Sequence, residues 1–226
     1  MKSGIGSRKR GEKTCSFFTS AFTDMPCFIV GSSPFINKIN LNKIDNNLSI
    51  SINRAMFKFK AFISMWQDLS FWKTDSEIIR KTECWKVCTS YSDPENCFYH
   101  FKTNGGEYKE SDSCDLLYGS GSSGPLAFCF ARAMGCSPII CIGMDCNITD
   151  NKTDFYGINK YWNSKTIPNC KNGLKWIQNN FSNKDFIMCD TVEKYENIID
   201  KFSDLSNHNS LNEILLMRLK NKKRSR

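Results

Sequence analysis

The chain reads as an α/β protein: one domain with a mostly parallel sheet, helices on both faces and a less regular insertion. Three observations predict this. Short apolar runs recur along the chain: CFIV at 27–30, LSISI at 48–52, AFISMW at 61–66, IICI at 139–142 and FIMC at 186–189. Each run stops at small or polar residues, as strands of a covered sheet do. Stretches with helically spaced apolar residues lie between them, and that alternation is the signature of an α/β sheet. The 226 residues, 40% apolar and 13% aromatic, are enough for one core and exclude a wholly disordered chain. No run approaches the ~18 apolar residues that a membrane-spanning helix needs. The first fifteen residues are basic and polar, so no secretory leader and a cytoplasmic location are expected.

In chain order, residues 1–13 form a basic tail. Residues 27–30 make a strand that stops at Gly31-Ser32-Ser33-Pro34, a small-residue turn. Phe35, Ile36, Ile39 and Ile44 are spaced for a short helix. Residues 48–52 alternate strictly, as a half-buried strand does, and end at Asn53-Arg54; residues 61–66 end at Gln67-Asp68. Residues 76–110 are the least regular part. Short strands are expected there at 86–90 and 98–102, and a turn at Asn104-Gly105-Gly106, within an excursion suited to a lid. Gly119-Ser120-Gly121-Ser122-Ser123-Gly124 leads into an apolar helix, with Pro125 in its first turn, Ser123 or Gly124 as its cap and Gly135 closing it. The buried strand 139–142 follows and ends at Gly143-Met144-Asp145. Helices are expected over 169–181, 191–204 and 210–219, with a strand at 185–189 between the first two.

The net charge of +8 is unevenly placed. Residues 1–13, with Lys9 and Arg10 among them, carry a net +4; residues 217–226, with Lys222, Lys223 and Arg224 among them, carry +6. The body between them is therefore slightly acidic. Such tails keep a protein soluble or attract a polyanion, a nucleic acid or an anionic surface, without reading its sequence. Most of the twelve cysteines sit in apolar runs, so a disulfide framework is not expected; they read as small buried hydrophobes in a reducing compartment. Cys84 and Cys88 in CWKVC could share a helix face or make half a zinc site, but no second pair has matching spacing, and no metal site is expected. His100 and His208 stand apart, His100 in a strand-like context that suits a packed side chain.

Two loops and three strand ends could carry chemistry. Gly31, Ser32 and Ser33 follow a buried strand, and Ser122, Ser123 and Gly124 open an apolar helix; backbone N–H groups and a positive helix end in such places favour a phosphate. Asn53, Asp68 and Asp145 follow three apolar runs. They should share the carboxyl edge of the sheet, where open α/β sheets bind ligands.

Two segments, CFIVGSSPFINKINLNKIDNNLSISINRAMF and SSGPLAFCFARAMGCSPIICIGMDC, resemble the signatures of bacterial lipooligosaccharide-type sialyltransferases and the related motility-associated flagellin glycosyltransferases. The first matches their strand, Gly-x-(Gly/Ser)-Pro loop, helix and asparagine-ended strand. The second matches their Ser-Gly loop, small-residue helix and strand closing in Gly-x-Asp. Together the stretches cover about a quarter of the chain. The same frame resembles the archaeal-type 6-hydroxymethylpterin diphosphokinases. The resemblance implies a single Rossmann-like nucleotide-sugar-binding domain over 14–206, with the insertion around 76–110 and a C-terminal helix and basic tail over 207–226. It implies a metal-independent glycosyltransferase with no bound cofactor. Its co-substrate would be a CMP- or UDP-sugar, and its acceptor a hydroxyl of a glycan or a modified nucleic acid base, reached through the basic tails. Gly31, Ser32, Ser33 and Asn53 would line the nucleotide pocket; Ser122, Ser123 and Gly124 would hold the phosphate or sugar. Cys146 and Asn147 stand where the sialyltransferases carry aromatic residues, so Tyr156 is the substitute, and Asn163 stands at the place of their base histidine. Either the base is then a carboxylate, Asp68, Asp145 or Asp154, or the donor and acceptor differ. The alternatives are an ATP- and Mg-dependent diphosphokinase and a catalytically inactive nucleotide-binding module. A homo-oligomer is left open.

Overall fold

The computed structural model describes residues 13–119, 121–146, 151–158, 166–202 and 207–224, with the backbone alone for 222–224. Lys9 and Arg10, and the side chains of Lys222, Lys223 and Arg224, lie outside the described residues, as does Asn163. Within them, one eight-stranded sheet is formed by β1 (Cys27–Val30), β2 (Ser49–Ile52), β3 (Ile63–Trp66), β4 (Trp85–Thr89), β5 (Tyr99–Asn104), β6 (Leu116–Tyr118), β7 (Ile139–Ile142) and β8 (Phe186–Cys189). Five α-helices accompany it: α1 (Leu69–Lys81), α2 (Ser123–Ala133), α3 (Thr166–Asn180), α4 (Val192–Phe202) and α5 (His208–Arg224). The strand order is β6-β5-β4-β3-β2-β1-β7-β8, and every pairing is parallel. The expected α/β architecture is thus present. The chain builds outward from β1 through β6, and α2 then carries it back to the other side of β1, where β7 and β8 pair.

Successive side chains of a strand point to opposite faces. Cys27 and Ile29 join one core with Ile50, Ile63, Met65, Val87 and Cys141, covered by α2, α3 and α5. Phe28 and Val30 join a second core with Ile140, Ile142 and Tyr195, Ile198 and Ile199 of α4. Further along the second face, Trp66 and Cys88 meet Phe71, Trp72 and Ile79 of α1. A sheet buried on both faces needs apolar residues at every position, which explains the unbroken runs CFIV and IICI.

Several expectations need correction. The alternation in LSISI marks no solvent face: Ser49 and Ser51 are fully buried. Their hydroxyls are satisfied inside the core, Ser51 Oγ lying 2.6 Å from Ser64 Oγ and Ser49 Oγ accepting from Phe62 N at 3.1 Å. The helix expected over 35–44 is two short 3₁₀ turns, Pro34–Lys38 and Leu41–Ile44, broken by the extended Ile39 and Asn40. Residues 76–110 contain the end of α1 and strands β4 and β5, so this stretch widens the sheet instead of leaving it. Cys84 and Cys88 belong to a strand region, not to a helix face; Cys84 meets Ser64 Oγ at 3.3 Å. The C-terminal basic segment is helical from His208 to Arg224. Leu211 and Leu215 are fully buried, and Arg218 donates to the carbonyls of Thr19 and Ser20 at 2.7 and 2.6 Å, so Arg218 is a structural residue of the domain. Finally, Cys146 and Cys170 form a disulfide, although the sequence context spoke for reduced thiols.

Candidate functional site

A cleft of about 370 Å³ opens at the carboxyl edge of the sheet. Its floor is made where β1, β2, β3 and β7 end. The ends of β1 and β7 are adjacent in the sheet although β1 is followed by β2 on its other side, so this is the point where strand order reverses. The connections that follow β1 and β7 go to opposite faces of the sheet: Ile36, after β1, packs in the second core, and α3, after β7, packs in the first. All ten candidate residues of the core site line it: Gly31, Ser32, Ser33, Asn53, Asp68, Ser122, Ser123, Gly124, Asp145 and Tyr156. Residues up to 125 positions apart therefore converge because four strand ends and one helix start share an edge.

The loop after β1 is held tightly against the loop after β7. Gly31 N donates to Ile142 O at 2.8 Å, and Ser33 N to Gly143 O at 3.1 Å. A Cβ on Gly31 would lie 2.3 Å from Gly143 O, so only glycine permits this approach. The two serines are engaged with the protein. Ser33 Oγ caps the following 3₁₀ turn by accepting from Phe35 N at 3.2 Å. Ser32 Oγ donates to the buried carboxylate of Asp154, and Phe155 N donates to Ser32 O at 2.7 Å, which docks residues 153–156 over the first loop.

The second wall is the start of α2. The cap is Ser122, not the expected Ser123 or Gly124, and its side chain makes no capping bond. Gln67 does that work. Its amide oxygen, in the orientation its neighbours require, accepts from Ser123 N at 3.1 Å and Ser122 N at 3.3 Å. A side-chain oxygen thus already stands at the positive end of this helix.

Two acceptor atoms in the cleft are buried with no hydrogen-bond partner among the described residues: Asn53 Oδ1 and Asp145 Oδ1. Native structures leave few such atoms, and each needs a reason. Asn53 also has a φ of +50°, a left-handed conformation that asparagine tolerates better than most residues.

The third wall carries the ionisable groups. Asp68 caps α1 by position but not by hydrogen bond. Its carboxylate opens onto the cleft, yet the surrounding protein strips enough water from it to raise its pKa above the ordinary 3.8. Tyr156 is 40% exposed; burial of its hydroxyl first, and the Asp154 charge second, push its pKa up to about 12. The phenol is therefore protonated at neutral pH and can donate a hydrogen bond. Arg54 completes this wall. Its Nε donates to Asp75 Oδ2 at 2.8 Å, and its guanidinium lies 4.8 Å from the centre of the Tyr156 ring.

Arg54 and Gln67 are the functional candidates that sequence reasoning passed over. Both directly adjoin residues singled out, Asn53 and Asp68, and both follow an apolar run; polarity immediately after a buried strand was the available signal. The Cys146–Cys170 disulfide also lines the cleft and ties the segment after β7 to α3. The two histidines do not line it. His208 Nε2 contacts Asn47 O at 3.1 Å, and His100 lies on β5. No protein-family model, no curated protein and no solved structure matches the chain.

Proposed function

We propose that the chain is a glycosyltransferase that binds a CMP- or UDP-activated sugar in this cleft and moves the sugar to a hydroxyl of a glycan or a modified nucleic acid base. The observation that carries the reading is a switch-point crevice that sets two buried acceptors, without hydrogen-bond partners among the described residues, beside the positive end of α2. That helix start favours a phosphate, for which Gln67 must release the Ser122 and Ser123 N–H groups it holds in the free chain. Asn53 Oδ1 and Asp145 Oδ1 need donors, which the hydroxyls of a ribose or sugar, or the amino group of a base, supply. A nucleotide carries both kinds of group.

The chemistry asks for a base near the acceptor hydroxyl and stabilisation of the departing phosphate. Asp68 is the base in this reading: desolvation raises its proton affinity, and its side chain makes no capping bond to α1. Tyr156, protonated and stacked against Arg54, donates to the leaving phosphate, and Arg54 adds positive charge beside it. Asp145 orients the donor. In the transfer the acceptor oxygen forms the new glycosidic bond, its proton goes to Asp68, and the sugar–phosphate bond breaks with its electron pair on the phosphate.

A second reading rests on a specific feature, the presence of two carboxylates, Asp68 and Asp145, in one cleft. They could hold Mg²⁺ for ATP-dependent diphosphoryl transfer. The deciding experiment measures nucleotide release from a panel of CMP- and UDP-sugars, with Asp68→Asn as control, beside AMP release from ATP and Mg²⁺. Release of CMP or UDP that Asp68→Asn abolishes supports the transferase. AMP release alone moves the assignment to the diphosphokinase, and no release with tight nucleotide binding indicates a binding module.

A further inference from the structure

Cys88, Asp93 and His100 bring a thiol, a carboxylate and an imidazole together in the interior, on the opposite side of β3 from the β1–β7 crevice. None of the three lines the cleft, and the proposed function does not use them. Their donor atoms all lie within 4.8 Å of one another. The parallel register of β4 and β5 sets Cys88 opposite His100, so both side chains project from the same face of the sheet. Asp93 arrives from the 90–98 connection; its Oδ2 lies 3.0 Å from His100 Nε2 and accepts from Phe98 N at 2.8 Å. All three residues are buried; Asp93 is 2% and His100 5% exposed. The other carboxylate oxygen, Asp93 Oδ1, is enclosed with no hydrogen-bond partner among the described residues. A core otherwise made of Trp66, Phe71, Trp72 and Ile79 thus encloses a carboxylate with one oxygen that makes no hydrogen bond among the described residues.

From this arrangement we infer that Cys88, Asp93 and His100 form a zinc site. Sulfur, nitrogen and oxygen donors in one set suit Zn²⁺, whereas Mg²⁺ and Ca²⁺ take oxygen donors. With Zn–S near 2.3 Å and Zn–N and Zn–O near 2.0–2.1 Å, tetrahedral donors stand about 3.4–3.6 Å apart. The Asp93–His100 distance needs to open by a few tenths of an ångström, and the Cys88 arm to close by at most about 1.2 Å. Binding proceeds as Zn²⁺ replaces the thiol proton of Cys88, which leaves to solvent. The resulting thiolate and the Asp93 carboxylate cancel the charge of the metal, and neutral His100 supplies its Nε2. The buried site is then uncharged as a whole, the arrangement a low-dielectric interior favours. Asp93 Oδ1 gains the cation it lacks and can serve as a fourth donor.

The site would clamp β4, β5 and the loop between them beside the cleft. Cys88 pairs with Trp66 in the sheet, and Trp66 runs directly into Gln67 and Asp68. Thr89 Oγ1 donates to Gln67 O at 3.2 Å, so the end of β4 already holds the backbone of a cleft residue.

The test uses the full chain. Protein produced in zinc-supplemented medium is dialysed against a weak chelator and its metal content measured. A second sample is stripped and titrated with Co²⁺, whose thiolate charge-transfer band in the near ultraviolet reports a sulfur ligand. The expected result is about one zinc per chain and a cobalt–thiolate band that saturates at one equivalent. That band should persist in Cys84→Ser and vanish in Cys88→Ser. Wild-type protein that retains less than a tenth of an equivalent of zinc and shows no band overturns the proposal, whether or not the variants fold. So does a band that survives in Cys88→Ser.

Discussion

Replacing Asp145 by alanine should separate binding from stability. In the free chain Asp145 Oδ1 is buried with no hydrogen-bond partner among the described residues, so the fold already bears its desolvation. An unsatisfied buried polar atom costs about 1–3 kcal/mol, and removing it leaves no partner stranded. The apo variant should therefore unfold at the same temperature as the wild type or higher; for a chain of this size each kcal/mol moves Tm by about 2–4 °C. The liganded state should respond in the opposite direction. A ligand hydroxyl or amino group that donates to this carboxylate would lose a hydrogen bond to a charged group, worth about 1.5–3 kcal/mol. That is a rise in Kd of about 10- to 150-fold. Calorimetric unfolding of the apo forms and titration calorimetry with the nucleotide measure the two effects on the same preparations. A Tm lowered by several degrees with unchanged affinity would show that Asp145 is a structural residue and would refute the reasoning.

Other perturbations probe the same edge. Asp68 holds its proton more tightly in the folded chain than in the unfolded one, so it favours folding below the ordinary carboxylate pKa and withdraws that contribution as pH rises through its folded value. Asp68→Asn should raise Tm at neutral pH while abolishing transfer, and a variant less stable than wild type at pH 7 would contradict the desolvation account. Gly31→Ala places a methyl group 2.3 Å from Gly143 O, and the loops after β1 and β7 must separate. A loss of about 1–3 kcal/mol in denaturant unfolding is expected, with weaker nucleotide binding; unchanged values would mean the close approach is not required. Cys170→Ser opens a link between the segment after β7 and α3. It should lower stability by roughly 2–4 kcal/mol in oxidising buffer and by nothing in the presence of a reductant, since the wild type then loses the same link. Equal stability of variant and wild type without reductant would deny the disulfide.

The central part of the fold was legible because a doubly covered parallel sheet writes itself as apolar runs. β1, β3 and β7 are buried at every position, and each is followed by the small or polar residues that build the cleft. The cleft residues could be found for the same reason: a polar residue directly after a buried run has few places to go except the sheet edge. Elsewhere local pattern and tertiary context disagree. Ser49 and Ser51 looked solvent-facing, but hydrogen bonds to Phe62 N and Ser64 let them be buried. β6, three residues long at the edge of the sheet, is too short for any periodicity. The Cys88–His100 pair, twelve residues apart, depends on the β4–β5 register, which no local spacing encodes. The link of Cys146 to Cys170 depends likewise on where α3 starts relative to β7. Arg54 was passed over because its role depends on Asp75 and Tyr156, residues of α1 and of a loop that only the fold brings to it.

The claim on which the rest depends is that the crevice between the ends of β1 and β7 binds a nucleotide. A thermal-shift panel of CMP, CDP, UDP, their sugar conjugates, GDP, ADP and ATP, each with and without Mg²⁺, tests it directly. At about a hundred times its dissociation constant a ligand stabilises by roughly 2.7 kcal/mol, or about 5–10 °C here. A shift of that size is expected with a cytidine or uridine nucleotide, independent of Mg²⁺ and reduced in Asp145→Ala. No shift with any member of the panel would contradict it.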